Sequence, residues 1–290
     1  MKVTELLALF DLETVGTDIF VGQCATNGWK RVFGGQVIAQ SLVAAQRTVA
    51  GRAPHSLHAY FILGGDPAEP ICFEVERIRD GRSFSTRRVV ARQRGEVIFH
   101  LSASFQEEEE GLEHAFPMPE GPGPDEVADP FHLPPDASDP QRKQMNAFLT
   151  RIRPMEFRPL NARRYRPANP GVLGDPRQSV WIRIAERLPD DPAIHRAALA
   201  YLSDMTLIDT VLVAHGYFIA SGQFQTASLD HALWIHRSFR ADEWLLYVQD
   251  SPNAHGARGL TRGLLYSRAG VLVASVAQEG LIRRRRPRPE

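Results

Sequence analysis

Three polar side chains in the C-terminal half of the chain stand among mostly apolar neighbours: Asp204, Ser228 and Gln278. Asp204 lies in a helical run and has apolar residues at i+3, i+4 and i+7, which places its carboxylate on the apolar face. Gln278 continues the apolar face of a strand, where an amide must find partners or cost about 1–3 kcal/mol. A carboxylate, a hydroxyl and an amide that meet can hold a water molecule and take its proton.

Each of the three residues also has a purely structural interpretation. Asp204 fits equally well as a helix cap or a hydrogen-bonded core acid, and Gln278 as a strand-end residue that reaches solvent. Serine before a strand is common, so Ser228 by itself is uninformative. The repeat pattern of the whole chain is needed to choose between the functional and the structural interpretation of each residue.

The elements that would position these residues form an α+β pattern. Residues 34–49 are typical of a buried helix with many small side chains. Alternating or continuous apolar runs then predict strands, at 58–63, 71–76, 84–90 and 97–105. A strand at 179–184, a helical run at 195–213 and further strands between 228 and 278 repeat this order.

Residue spacings support a duplication. Gly81 and Gly95 are separated by the same interval as Gly256 and Gly270. Thr86-Arg87 and Thr261-Arg262 follow the first glycine of each pair at the same distance, Ser56-Leu57 returns as Ser228-Leu229, and the helix 35–45 overlays 204–214. Two copies of one helix-plus-sheet unit are therefore predicted.

The two copies differ at the polar positions. The alignment places Gly35 opposite Asp204 and Ala103 opposite Gln278. The first copy therefore lacks both the acid and the amide, and one active site per chain is expected.

A proline-rich segment separates the copies. It begins with an acidic run and contains 13 of the 21 prolines, so it is predicted to be a linker with few regular ladders. The expected organisation is a first copy at 1–106, a linker at 107–178 and a second copy at 179–290. Within the linker, 141–151 is predicted to pack as a helix.

Composition excludes several classes of function. Lys plus Arg equals Asp plus Glu, at 34 each, so net charge favours neither nucleic acid nor a membrane surface. Cys24 and Cys72 form neither a disulfide framework nor a metal motif, and no metal or cofactor is expected. Because no signal peptide or spanning run is apparent, a soluble cytoplasmic protein is expected. The basic tail 283–286 is interpreted as a solvated terminus.

Six motifs together resemble the acyl-CoA thioesterase II family. They are Phe33-Gly34-Gly35-Gln36, the segments 55–61 (HSLHAYF) and 79–89 (RDGRSFSTRRV), Tyr201-Leu202-Ser203-Asp204, Ala227-Ser228-Leu229-Asp230-His231 and Gln278-Glu279-Gly280. The resemblance covers both halves, about 5–106 and 179–283. It is weakest in the linker.

The resemblance implies a double hot dog fold, in which each copy wraps an antiparallel sheet around a central helix. It also implies hydrolysis of fatty acyl-CoA to fatty acid and CoA, with the catalytic residues on Asp204, Ser228 and Gln278. Many members have Thr where this chain has Ser228. The serine keeps the hydroxyl group and lacks the methyl group of threonine. The expected partners are an acyl-CoA substrate and further copies of the chain, as a homodimer or homotetramer.

Substrate-binding residues are expected elsewhere in the motifs. Backbone N–H groups of the Gly34-Gly35 turn would stabilise the substrate's oxyanion. His58 is a further candidate, and arginines at matching positions of the two copies would bind CoA phosphates, namely Arg82, Arg87, Arg88, Arg258 and Arg262. Surface charges that balance nearby acids are the alternative.

The sequence is also compatible with two other functions. An enoyl-CoA hydratase or dehydratase on the same kind of fold would need an acid/base His and Asp pair, and His58 or His231 could supply the histidine. A non-catalytic acyl-CoA binding protein would use the polar trio only as satisfied core groups.

Overall fold

The computed structural model describes residues 2–25, 28, 30–127, 154–160, 171–217 and 222–285. Four helices occur in these ranges: α1 (Val3–Phe10), α2 (Gly34–Gln46), α3 (Pro192–Ser203) and α4 (Leu207–Ala214). The strands of the first half are β1 (Glu13–Gly16), β2 (Ile19–Gly22), β3 (Ala53–Phe61), β4 (Ile71–Asp80), β5 (Phe84–Gln93) and β6 (Glu96–Gln106). Those that follow are β7 (Met155–Pro159), β8 (Arg177–Ile184), β9 (Phe224–Ser228), β10 (Asp230–Ile235), β11 (Leu245–His255), β12 (Arg258–Ser267) and β13 (Leu272–Arg284).

The strands form one antiparallel sheet whose two halves have matching orders. The order is β1-β2-β4-β5-β6-β3-β10-β13-β12-β11-β8-β7, and β9 also pairs with β13. The halves join between β3 and β10, where Ala59 lies opposite His231 and Leu57 opposite Leu233. Outward from this junction, the strand order β6-β5-β4-β2 of the first half corresponds to the order β13-β12-β11-β8 of the second half. The predicted α+β double hot dog with two copies is therefore confirmed.

The central helices pack against the sheet and against each other. Helix α2 consists largely of small and aliphatic residues, and nearly all of it is buried, because small side chains allow a close approach to the strands. It packs against α3, while α4 packs on β11, β12 and β13. The span Pro192–Ala214 is long and apolar enough to cross a membrane, but 72% of its apolar window is buried inside the fold, as expected of a core helix.

The predicted continuous helix at 195–213 is wrong at its centre. Helix α3 ends at Ser203, Asp204 is its C-cap, and Thr206 has a φ of 76° before α4 begins. A β-branched residue rarely adopts this left-handed conformation. Thr206 is held by the amide of Gln249, which donates to its Oγ1 at 2.6 Å, and by the amide of Gln178, which donates to its carbonyl at 3.2 Å.

Because the helix is interrupted between Ser203 and Leu207, Asp204 lies at a helix end and not within a helix. Its carboxylate therefore does not extend the apolar face formed by the next turn, as the spacing had indicated. The alternative, a residue at a helix end, describes the backbone of Asp204 correctly.

Part of the predicted linker belongs to the sheet. Strand β7 pairs with β8, with Met155 opposite Ile184, so it extends the second half at its edge. The prolines that precede it do not prevent packing: the indole N–H of Trp181 donates to the carbonyl of Pro122 at 3.0 Å. The helix predicted at 141–151 lies outside the described residues.

Helix α1 and the short strands β1 and β2 were not predicted. Leu6 of α1 is fully buried, and α1 packs against α2 and α3. The run at 3–10 is too short for its helical periodicity to be distinctive, so only its burial against the central helices identifies it. Arg283 and Arg284 of the basic tail are exposed, as predicted for a solvated segment, and their backbone pairs with β9.

Candidate active site

A chain of hydrogen bonds connects the three polar residues. The hydroxyl of Ser228 donates to Oδ1 of Asp204 at 3.2 Å. The amide Nε2 of Gln278 donates to Oγ of Ser228 at 2.8 Å. The structure therefore brings together a carboxylate, a hydroxyl and an amide that are 24 and 50 residues apart.

Each of the three is positioned by a different element. Asp204 caps α3, Ser228 ends β9, and Gln278 lies in the middle of β13. The pairing of β9 with β13, with Ser228 opposite Gly280, brings Ser228 within reach of Gln278. Gln278 is only 1% exposed, so its predicted burial is confirmed and the alternative of a strand end in solvent is wrong.

A cavity of about 790 Å³ opens beside Asp204 and Ser228. One part of its wall is apolar and includes side chains from both copies: Val37, Phe61, Ile98, Phe99, Phe157, Met205, Ile208 and Leu229. Among the described residues, the cations that line it are Lys30, Arg31 and Arg285. The cavity thus combines an apolar wall, a carboxylate and positive charge.

The first turn of α2 comes from the other copy and faces Asp204. A Cβ atom placed on Gly34 would lie 2.6 Å from Oδ2 of Asp204, and one on Gly35 would lie 2.3 Å from the carbonyl oxygen of Tyr201. Both glycines are therefore required for this close approach. The N-cap residue is Phe33, whose side chain makes no capping hydrogen bond.

Two further polar residues extend the network away from the cavity. Nδ1 of His231 lies 2.7 Å from Oε1 of Gln278, and its Nε2 lies 2.9 Å from Oγ of Ser203. His231 is 1% exposed, and burial lowers its pKa, although nearby Asp204 and the bond to Gln278 oppose this shift. Its place in this network was not predicted from the sequence, although the alternation of His231 with Leu229 and Leu233 indicates an inward direction.

The interpretation of Arg87 as a phosphate-binding residue is wrong. Arg87 is 1% exposed, and its guanidinium donates to Oγ1 of Thr48 at 2.8 Å, to the Thr48 carbonyl at 3.2 Å and to Asp80 at 2.7 Å. These bonds tie β5 to the C-terminal end of α2. The guanidinium is a structural group with no free edge for a phosphate.

The matching of Arg87 with Arg262 is wrong by one residue. Across the ladders Ala103 lies opposite Arg87, whereas Gln278 lies opposite Thr261. With Ala103 aligned to Gln278, Arg87 corresponds to the buried Thr261. A shift of one residue changes the face of the sheet, which explains why Arg262 is exposed and pairs with Asp250.

The other substrate-binding candidates lie in different places. His58 is exposed and packs edge-on against Trp234, with ring centroids 5.2 Å apart. Arg82 is exposed near a hairpin. Arg258 pairs with Glu279 at 3.0 Å and lines a separate cavity of about 270 Å³. Of the eight substrate-binding candidates, Gly34 is the one that lines the Asp204 cavity in the described part of the chain.

Within the same described ranges, no cluster of three His, Cys, Asp or Glu side chains is arranged to hold a metal ion. The groups that the site presents are a positioned carboxylate, a hydroxyl and an amide beside a helix N-terminus.

Family models match both halves of the chain. The acyl-CoA thioesterase N-terminal domain model covers 25–106, and the acyl-CoA thioesterase model covers 153–281. Acyl-coenzyme A thioesterase 8 from Homo sapiens is 39% identical over 95% of this chain and 88% of its own length. Acyl-CoA thioesterase 2 from Haemophilus influenzae is 37% identical over 97% of this chain and 98% of its own.

A solved structure agrees with these matches. An acyl-CoA thioesterase II from Mycobacterium marinum is 43% identical, has a TM-score of 0.78, and is matched over 96% of this chain and 98% of that one. The fold and the relatives define a thioester hydrolase with a hot dog fold. The chain belongs to the acyl-CoA thioesterase II family, as its motifs had predicted.

Proposed function

We propose that this protein hydrolyses fatty acyl-CoA thioesters with a water molecule activated by Asp204, Ser228 and Gln278. The observation that carries the proposal is the continuous hydrogen-bond chain from Gln278 through Ser228 to Asp204, which ends at a cavity with an apolar wall. The names of the relatives support acyl-CoA as the substrate.

In the proposed reaction Asp204 is the general base. It takes one proton from water as the water oxygen attacks the thioester carbonyl carbon. The tetrahedral intermediate then collapses, the carbon–sulfur bond breaks, and the CoA thiolate leaves and is protonated. Ser228 donates to Oδ1 of Asp204, which leaves Oδ2, the oxygen that faces Gly34, to accept the proton.

The oxyanion would be stabilised by the first turn of α2. The first N–H groups of a helix have no partner within the helix, and Phe33 provides no side-chain cap. The N–H groups of Gly34 and Gly35 and the helix dipole therefore favour an anion at this place. Because Gly34 contacts Asp204 from the other copy, a single site uses both halves of the chain.

The two kinds of cavity wall suit the two parts of an acyl-CoA. Phe61, Phe99 and Ile208 would contact the acyl chain, whose burial contributes about 0.8 kcal/mol per methylene group. Lys30, Arg31 and Arg285, rather than the arginines predicted from sequence, would bind the phosphates, because these three cations line the cavity.

The alternative functions have less support. A hydratase would need a histidine facing the substrate, whereas His231 is buried behind Gln278 and His58 is exposed on the sheet. A binding protein without activity would need no carboxylate at the N-terminus of α2.

One assay separates the three functions. The protein is incubated with palmitoyl-CoA and, separately, with crotonyl-CoA. Release of free thiol and loss of the enoyl absorbance are then followed. Thiol release from palmitoyl-CoA that disappears in Asp204→Asn supports the proposal. Enoyl loss without thiol release would indicate a hydratase, and binding without either signal would indicate a binding protein.

Stoichiometry provides a second test. Since Gly35 and Ala103 stand where the second copy has Asp204 and Gln278, one site per chain is proposed. Titration with a non-hydrolysable acyl-CoA analogue should reach one equivalent per chain. Two equal equivalents would contradict the proposal.

A further inference from the structure

His231 lies at the far end of the hydrogen-bond chain, where it contacts neither the cavity nor the proposed water. It is enclosed by Gln278 on one side and Ser203 on the other, at 2.7 and 2.9 Å. A buried imidazole with a partner on each nitrogen has a tautomer fixed by those partners. The direction of each hydrogen bond can be derived from the carboxylate outward.

Asp204 fixes the first hydrogen-bond direction. An ionised carboxylate can only accept hydrogen bonds, so the hydroxyl of Ser228 must donate to Oδ1. The oxygen of Ser228 then has only its lone pairs for Gln278, and the amide must present its NH₂ group there, at 2.8 Å. That orientation leaves Oε1 of Gln278 facing Nδ1 of His231 at 2.7 Å.

We infer that His231 is a positioning residue, whose Nδ1–H donates to Oε1 of Gln278 and so fixes the amide with its NH₂ group toward Ser228. The chain of donors runs from His231 to Gln278, from Gln278 to Ser228 and from Ser228 to Asp204. Reversal of the amide would place a carbonyl oxygen against Ser228, and one hydroxyl proton would then have two acceptors. The inference rests on the proposed role of Asp204 as an ionised base.

The other side of the ring is consistent with this tautomer. With Nδ1 protonated and the imidazole neutral, the Ser203 hydroxyl donates to Nε2 at 2.9 Å in place of its other acceptor, the Ala200 carbonyl at 3.0 Å. Burial, which lowers the pKa of His231, favours the neutral ring. Ser203 adjoins Asp204 at the end of α3, so both ends of the hydrogen-bond chain are attached to one short segment of backbone.

The first experiment reads the tautomer directly. Selectively labelled ¹⁵N-histidine in the wild-type protein distinguishes a protonated Nδ1 from a protonated Nε2 by chemical shift and by long-range couplings to the ring carbons. A neutral His231 with Nδ1–H is expected. A neutral His231 with Nε2–H would overturn the inference, because Gln278 would then have to present its NH₂ group to the histidine.

The second experiment uses substitutions that differ in the donor. His231→Asn places an amide N–H close to the position of Nδ1, whereas His231→Leu fills similar space without a donor. We expect kcat of His231→Asn to stay close to wild type and kcat of His231→Leu to fall about 10- to 100-fold, as for other residues that orient the groups around a reacting centre. KM should change in neither variant.

Thermal unfolding of both variants shows whether they are folded. Equal loss of kcat in folded His231→Asn and His231→Leu, or a loss confined to KM, would overturn the positioning role. Failure of the proposed base gives a different result. Full turnover by Asp204→Asn would contradict the reaction scheme. The tautomer measured in the wild-type protein would still show how the amide of Gln278 is oriented.

Discussion

Gly34 and Asp204 come from opposite copies, yet a methyl group on Gly34 would lie only 2.6 Å from Oδ2 of Asp204. The glycine therefore allows the first turn of α2 to meet the carboxylate. A site that depends on this contact cannot form in either half alone.

Gly34→Ala should reduce activity more than stability. The added methyl group would press on Oδ2 of Asp204 and on Phe61, and so move the proposed base away from the N–H groups at the start of α2. We expect kcat/KM to fall by about 10²-fold or more, in the range found when an oxyanion donor is removed. Gly111→Ala is the control, because a Cβ there has no neighbour within 4 Å. Equal activity in both variants would indicate that the thioester carbonyl does not bind at the first turn of α2.

Asp204→Asn should remove the base and keep the shape of the side chain. Loss of a positioned acid or base typically costs about 10²–10⁴-fold in rate, and kcat for palmitoyl-CoA measured by thiol release should fall within that range. Asp250→Asn removes an exposed carboxylate paired with Arg262 and should leave kcat unchanged. Retention of wild-type kcat by Asp204→Asn would contradict the reaction scheme.

Arg87→Met should lower stability and leave KM for acyl-CoA unchanged. The guanidinium is buried and donates to Thr48, to the Arg79 carbonyl and to Asp80, so its removal leaves buried acceptors without a donor. The expected loss is on the order of 3 kcal/mol in the free energy of unfolding, measured by urea denaturation. The exposed Arg82→Met should change stability by less than about 0.5 kcal/mol. A raised KM in Arg87→Met would restore the phosphate-binding interpretation.

Substitution of Lys30 and Arg31 by Ala should raise KM for acyl-CoA. The phosphates would lose charge-assisted hydrogen bonds, whereas an acyl-pantetheine without phosphates should be hydrolysed with unchanged KM. Arg258→Ala is the matched control, since Arg258 pairs with Glu279 and lines the separate cavity. A larger increase of KM in Arg258→Ala would indicate that the CoA phosphates bind in that second cavity.

The stability of the fold should depend on His231 below neutral pH. Burial lowers the pKa of His231 in the folded chain, so the unfolded chain binds a proton near pH 6.5 that the folded chain does not. Stability is therefore retained above about pH 6.5 and lost as the pH falls toward the lowered pKa, by up to about 1.4 kcal/mol per pH unit. Urea unfolding from pH 7.5 to 5.5, about one unit on either side of that value, should show a shallower slope for His231→Asn. Equal slopes would contradict a buried neutral imidazole.

The sequence by itself predicted the duplication, the α+β pattern and the polar trio. Repeated intervals survive in the chain because each hairpin keeps its own geometry: Gly95 and Gly270 both have positive φ, at 84° and 82°. Gln278 was also accessible to sequence reasoning, because strand periodicity alone assigns it to the buried face. The predicted homodimer or homotetramer and the cytoplasmic location stay predictions.

Tertiary structure decided the rest. The break after Asp204 depends on Gln178 and Gln249, two distant amides that hold Thr206, and no local pattern encodes them. The turn between β12 and β13 has one residue more than the turn between β5 and β6, since the Ser267 N–H donates to the Val271 carbonyl whereas Gln93 lies opposite Glu96. This extra residue shifts the two copies by one, so Arg87 faces the interior and Arg262 faces solvent. Spacing along a chain cannot resolve such a shift, because only the paired strand determines which face a side chain occupies.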